Sequence, residues 1–266
     1  MFISHSHLPS TEDIYYPFAC EEWLCREAGE DRVPVPAVHL WRHERAFVLG
    51  LRDSRLPNAA AAMDWLEREE GYRVMVRNSG GAAVPLDLGV VNVTLVRRGA
   101  PGKLDMNADF RLMAGLLAGT LEPFGVAFDT GEVEGSYCPG EYDLSVGGRK
   151  FCGLAQRRQQ RAYSVQAFVN AEGDAAARAA LVREFYRRAG GAGLDVRAGV
   201  MGSLTELHPG FPGAETWLRS LAASFGIAAP MPPAGASAAR DIAAALRARY
   251  DPRATGDEDD KKGRSV

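Results

Sequence analysis

Residues 141–154 read EYDLSVGGRKFCGL, two strand-forming runs on either side of Gly147-Gly148. A Gly-Gly loop allows the positive φ that a type I′ turn demands at both central residues, so the segment is expected to fold as a tight antiparallel hairpin. The chain around it therefore builds a sheet that is not purely parallel. The turn also sets a register: Val146 opposite Arg149, Ser145 opposite Lys150 and Asp143 opposite Cys152. In that register Lys150 and Cys152 share a face, roughly 6–7 Å apart along the strand.

Other elements follow from hydrophobic periodicity. Residues 16–28 read as a helix. AVHLW (37–41) and AFVLG (46–50), separated by RHER, read as a second hairpin. AAAAMDWLEREEG reads as a helix stopped at Gly71. Strands are expected over 72–77 and 90–96, with the glycine-containing loop NSGGAAVPLDLG between them. Asn107 is a candidate cap for a helix whose Phe110, Met113, Leu117 and Leu121 fall on one face. A strand over 164–172 and helices near 175–188 and 214–224 complete the set. Strands and helices mix without strict βαβ alternation, which points to one α/β (α+β) domain with a mixed sheet flanked by helices. It is expected over residues 15–228. A Pro/Ala linker (APMPPAGAS) and a C-terminal helix follow over 229–250, then a disordered charged tail over 251–266.

With 31 basic and 34 acidic residues, the net charge near −3 offers no general attraction to nucleic acid or to an anionic membrane. The N-terminus lacks a signal-peptide pattern and no apolar run reaches membrane-span length, so the expected location is the cytoplasm. Four cysteines do not make a disulfide framework. Cys20 and Cys25 lack a ligand cluster, and His5, His7, His39, His43 and His208 show no ligand spacing, so no metal is expected. GxSxG, GxGxxG and the Walker pattern are absent.

Two constellations remain. In the first, Cys152 lies nearer Lys150 in the hairpin, but a carboxylate opposite and a strand interior disfavour its ionised form. Cys138, in the loop SYCPG, is able to present a thiol over a pocket, although Glu134 and Glu141 are unhelpful neighbours and lone loop cysteines are commonly inert. The second is RNSGGAAVPLDLGVVNVT (77–94), where Gly80-Gly81 permit close approach of a ligand to backbone. An ordinary loop turn explains it equally well.

Together, RNSGGAAVPLDLGVVNVT and GGRKFCGLAQRR resemble the acyl-binding glycine loop and the lysine strand (K-x-x-G-x-A-Q) of the lipoate–protein ligase and octanoyltransferase superfamily, which shares its catalytic fold with biotin protein ligases. LWRHERAFVLGLRD (40–53) extends the resemblance, which spans roughly residues 15–225. Within the superfamily, GSYCPGEYDLS and Leu86, where ligases carry a histidine, are similar to the octanoyl-[glycine-cleavage H protein]:protein octanoyltransferases, an amidotransferase family.

The resemblance implies Cys138 as a nucleophile that becomes an acyl thioester. It implies Lys150, twelve residues on, as the group that lowers the thiol pKa and contacts the acyl carbonyl. It implies an acyl and substrate site at Arg77, Ser79, Gly80, Gly81, Val84, Asn92, Gly153 and Gln156, with Cys152 as packing. The implied donor is the octanoylated glycine-cleavage H protein, and the implied acceptors are lipoyl domains of 2-oxo acid dehydrogenase complexes. Amide-to-thioester-to-amide exchange is near isoergic, so no cofactor is expected. Three alternatives stay open: an octanoyltransferase fed by acyl carrier protein, an ATP-dependent lipoate–protein ligase, and an inactive binder of lipoyl domains.

Overall fold

The computed structural model describes residues 2–99, 105–191, 195–226 and 228–254. In chain order they form β1 (Phe2–Leu8), α1 (Tyr15–Gly29), β2 (Ala37–His43), β3 (Arg45–Leu49), α2 (Ala59–Arg68), β4 (Arg73–Val76), β5 (Val84–Asp87) and β6 (Val90–Arg98). Then come α3 (Met106–Leu121), β7 (Asp129–Thr130), β8 (Leu144–Val146), β9 (Arg149–Arg158), β10 (Ala162–Asn170), α4 (Ala175–Ala189), α5 (Leu204–Leu207), α6 (Ala214–Phe225) and α7 (Pro233–Tyr250).

The Gly147-Gly148 hairpin forms, with φ of 57° and 75° at the two glycines. Its β8 and β9 sit in a seven-stranded mixed sheet of order β1-β2-β6-β10-β9-β8-β7. β1 runs parallel to β2, and the remaining neighbours are antiparallel. Ser145 faces Lys150 as the turn demands, but a bulge then shifts the register so that Leu144, not Asp143, pairs with Cys152. The extra residue releases Asp143 from the ladder and turns it toward Lys150.

The expected hairpin over 37–50 does not form. β2 belongs to the large sheet, whereas β3 is the centre of a three-stranded sheet of order β4-β3-β5. All of β2, and all of β3 except Arg45, is buried. Such strands need cover on both faces, and the flanking helices together with the facing sheet supply it. The crossing is pinned at Glu44, whose carboxylate meets His7 Nε2 at 2.7 Å and accepts from Ser10 N–H at 2.8 Å.

Of three smaller differences, two come from tertiary cover and one from a local cap. Part of the glycine loop, 84–87, becomes β5 because β3 offers it an edge. Asp105 rather than Asn107 caps α3, accepting from Ala108 N–H at 2.8 Å. The Pro/Ala stretch turns helical at Pro233, and α7 lays Ala239, Ile242 and Ala243 into the core beside α1. Residues 255–266 of the expected tail lie outside the described residues.

One core fills the space between the small sheet, α1, α2, α4 and α7. A second lies against the large sheet beneath α3 and α6, where Met113, Leu117 and Leu121 are buried as their spacing predicts. The loop before β8, the glycine loop before β5 and the start of β9 converge where the first core meets the large sheet.

Candidate active site

Cys138 lies between β7 and β8 with φ of +50°, one of two non-glycine residues with positive φ among the described residues. That conformation costs a non-glycine residue roughly 1–3 kcal/mol and persists only where surrounding contacts enforce it. The contacts here are specific. Sγ accepts from Arg77 Nη2 at 3.2 Å and from the Ala82 backbone N–H at 3.1 Å. From below, Lys150 Nζ donates to the carbonyl oxygens of Tyr137 at 3.0 Å and Cys138 at 2.6 Å.

Lys150 is buried, and its third contact is the Asp143 carboxylate at 2.9 Å. The ammonium has three N–H groups, and these three partners occupy them. Burial pushes the Asp143 carboxyl above the usual range, with the Lys150 charge opposing that rise. Asp143 also accepts from Gly140 N–H at 3.1 Å, so one carboxylate ties both ends of the cysteine turn to the lysine strand.

Arg77 follows β4 directly and is fully buried. Besides Sγ, Nη2 donates to Ala82 O at 2.7 Å, and the guanidinium lies 5.2 Å from the Phe168 ring centroid. Gly81 makes this convergence possible. It has φ of +101°, and a Cβ there would sit 2.1 Å from Arg77 Nη2 and 2.9 Å from Cys138 Sγ. Gly50 allows the Gly81 carbonyl to approach, since a Cβ at Gly50 would lie 2.0 Å from that oxygen. On the loop's far side, Ala83 N–H donates to Tyr186 Oη at 3.3 Å, and Tyr186 donates to Asp53 at 3.0 Å.

A cavity of about 20 Å³ adjoins the sulfur, between Arg77, Val84, Lys150, Gly153 and Phe168. Asn170 and Tyr137 close one wall, with Asn170 Nδ2 donating to Tyr137 Oη at 3.0 Å. The structure thus brings Cys138, Lys150, Arg77, Gly81, Val84 and Gly153 together. Gly80 is exposed beside them, and Ser79 is buried with no hydrogen-bond partner for Oγ. Asn92 and Gln156 stand apart from the cavity lining. Asn92 Nδ2 donates to Trp41 O at 3.2 Å, and Gln156 Nε2 donates to Met106 O at 2.6 Å. Cys152 is buried, and burial drives its thiol far above the ordinary range.

Sequence reasoning missed Asp143 as the partner of Lys150, Ala82 as a donor to sulfur, and Phe168 and Asn170 as walls. The Gly-Gly turn fixes only the first rungs of the hairpin, and the bulge that frees Asp143 leaves no local mark. Nothing in the sequence links Arg77 to Cys138, 61 residues away.

Residues 13–225 match the family model of the lipoyl protein ligase A/B catalytic domain. The chain is 42% identical over 211 residues to the octanoyl-[GcvH]:protein N-octanoyltransferase of Geobacillus kaustophilus, covering 77% of this chain and 74% of that protein. It is 37% identical over 212 residues to the lipoyl-[GcvH]:protein N-lipoyltransferase of Listeria monocytogenes, covering 77% and 76%. Among solved structures, lipoate-protein ligase A bound with ATP superposes with a TM-score of 0.68 at 19% identity, covering 91% of this chain and 93% of that one, which is a likeness of fold. On the family match and these identities together, the chain belongs to the lipoyl protein ligase A/B catalytic domain family.

Proposed function

We propose that the protein moves an octanoyl or lipoyl group from the lysine of the glycine-cleavage H protein to the lysine of lipoyl domains of 2-oxo acid dehydrogenases, through a thioester on Cys138. The observation that carries this reading is the strained Cys138 loop, whose sulfur receives two aimed N–H groups beside an apolar cavity. The names of relatives at 37–42% identity supply the donor.

In the first half-reaction the Cys138 thiolate attacks the amide carbonyl, forming a C–S bond and a tetrahedral oxyanion. Collapse restores C=O and breaks C–N, and the departing lysine takes a proton from the Lys150 ammonium. In the second, the neutral lysine of the acceptor attacks the thioester. Sulfur leaves as thiolate, and the excess proton on the new amide nitrogen returns to Lys150. For either transfer Lys150 releases one of the carbonyls it holds at rest. No nucleotide is consumed. Arg77, Ser79, Gly80, Gly81, Val84 and Gly153 shape the acyl end of the site, and Asn92 and Gln156 support its sheet from outside the cavity.

The resting cavity has room for about one water molecule. Entry of an eight-carbon chain therefore needs the cysteine and glycine loops to part, and burial of the chain returns roughly 0.8 kcal/mol per CH₂. The unit over 15–228 contains every residue of this site, with 229–250 as a buttress on α1. The cytoplasm, where thiols stay reduced, is the compartment this chemistry suits.

The test is incubation with octanoylated H protein without ATP, followed by intact-mass analysis and a lipoyl-domain acceptor assay. A hydroxylamine-sensitive octanoyl adduct is expected on the native protein and on Cys152→Ala, and absent from Cys138→Ala. Normal transfer by Cys138→Ala, or a strict ATP requirement, overturns the proposal.

A further inference from the structure

Arg77 is a fully buried guanidinium, and no carboxylate among the described residues lies within 4.0 Å of it. Its partners are the carbonyl of Ala82, the ring of Phe168 and the sulfur of Cys138, while Nε has no hydrogen-bond partner. An arginine stays charged in any protein interior, and a buried charge without a counter-charge is costly. Asp53 feels the Arg77 charge, but its two oxygens are engaged by Gly50 N–H and Tyr186 Oη. Lys150, by contrast, is already neutralised by Asp143 and directs its N–H groups to carbonyl oxygens rather than to sulfur.

We propose that Arg77 is the counter-ion of the Cys138 thiolate, holding the sulfur ionised for attack together with the Ala82 N–H, while Lys150 holds the loop at rest and carries the proton of each transfer. This rests on the reading of Cys138 as the nucleophile, and it reassigns the charge that activates it. The arrangement is built rather than incidental. Gly81 and Gly50 are both required for Arg77 and the sulfur to approach each other, and the Cys138 backbone is held in a strained conformation that turns Sγ toward them. The remaining titratable groups facing the sulfur are Tyr137 and Tyr186, both pushed up by burial and so neutral at ordinary pH.

The experiment measures the rate of Cys138 carboxamidomethylation by iodoacetamide from pH 5 to 10, by intact mass, on the full chain. Cys138→Ala supplies the blank, since Cys20, Cys25 and Cys152 are buried. The native thiol is expected to react at lower pH than free cysteine. Arg77→Gln is expected to lose at least about tenfold in rate at pH 7 and to recover at pH 10, which corresponds to a shift of one unit or more. Arg77→Lys is expected to retain most of the native profile, and Lys150→Gln to shift it less than Arg77→Gln does. An Arg77→Gln profile that superposes on the native one overturns the proposal. So does a native Cys138 that titrates like free cysteine, a result that needs no folded variant. The alkylation requires no acyl transfer. Loss of the octanoyl adduct with an Arg77-dependent profile would therefore fault the proposed reaction and leave the counter-ion standing.

Discussion

Asp143 Oδ1 and Lys150 Nζ meet at 2.9 Å in the interior, with side chains 1% and 3% exposed. The pair sits beneath the cysteine turn. Its lysine holds the carbonyls of Tyr137 and Cys138, and its aspartate holds Gly140 N–H. Two charges taken out of water are tolerable only while they face each other.

Asp143→Asn leaves the Lys150 ammonium buried without a counter-charge. The expected cost is about 3–5 kcal/mol in urea unfolding, with transfer activity reduced at least tenfold. The double variant Asp143→Leu/Lys150→Met, which removes both charges, is expected to be more stable than Asp143→Asn while remaining inactive. A single variant with native stability would show that the pair does not hold the turn.

Gly81→Ala forces a Cβ against the Arg77 guanidinium and the Cys138 sulfur, at a φ that disfavours any side chain. Stability is expected to fall by about 1–3 kcal/mol. Alkylation of Cys138 and acyl transfer should both drop at least tenfold. Gly115→Ala on α3, where nothing lies within 4 Å of the added carbon and which lies outside the site, is the control, and both measurements on it should stay close to native.

Truncation after residue 231 removes α7. It uncovers α1, where Gly235 packs so closely on Trp23 that an added Cβ would lie 2.8 Å from the indole. Ala239, Ile242 and Ala243 leave the core with it, and the ion pair of Arg247 with Asp13 at 2.7 Å is lost. Thermal unfolding is expected at least several degrees lower, in line with a loss of about 3 kcal/mol of apolar burial. An unchanged melting temperature would mean that α7 is an appendage.

His5 sits against His39 and Tyr16, and burial lowers its pKa from 6.5 to about 4. The unfolded chain therefore binds a proton between these values that the folded chain does not, and stability falls as pH drops from about 6.5 to about 4. The loss levels off below the folded value. Because His5 is partly exposed, its size is about 2 kcal/mol. Glu44 and Glu184, both lowered to about 2, withdraw their contribution only below about 4.5, so the two windows overlap only between about 4.5 and 4. Urea titrations of native protein and His5→Gln from pH 4 to 8 should diverge across the upper window.

Much of the fold was legible wherever a local rule was strong. The Gly-Gly turn called for an antiparallel hairpin because only positive φ at both positions closes it. The spacing of Met113, Leu117 and Leu121 called for one buried helix face. Legibility ended where partners are distant. AVHLW and AFVLG look like hairpin strands because they are adjacent and apolar, but burial on both faces sends them to different sheets. Of the site, Cys138 and Lys150 were visible through motif resemblance. Arg77 was visible only as a binding residue, and Asp143 only as an unwelcome neighbour of Cys152.

By itself, then, the sequence determined the turn chemistry, the amphipathic faces and which residues carry reactive groups, since these depend on φ preferences and on spacing within a few residues. Only the tertiary structure decided which charge meets which partner. A one-residue bulge moved Asp143 from Cys152 to Lys150, and two glycines far apart in the chain let Arg77 reach the sulfur of Cys138. Electrostatic partnership depends on distances of a few ångströms and on exclusion of water, and neither exists until the sheets have packed.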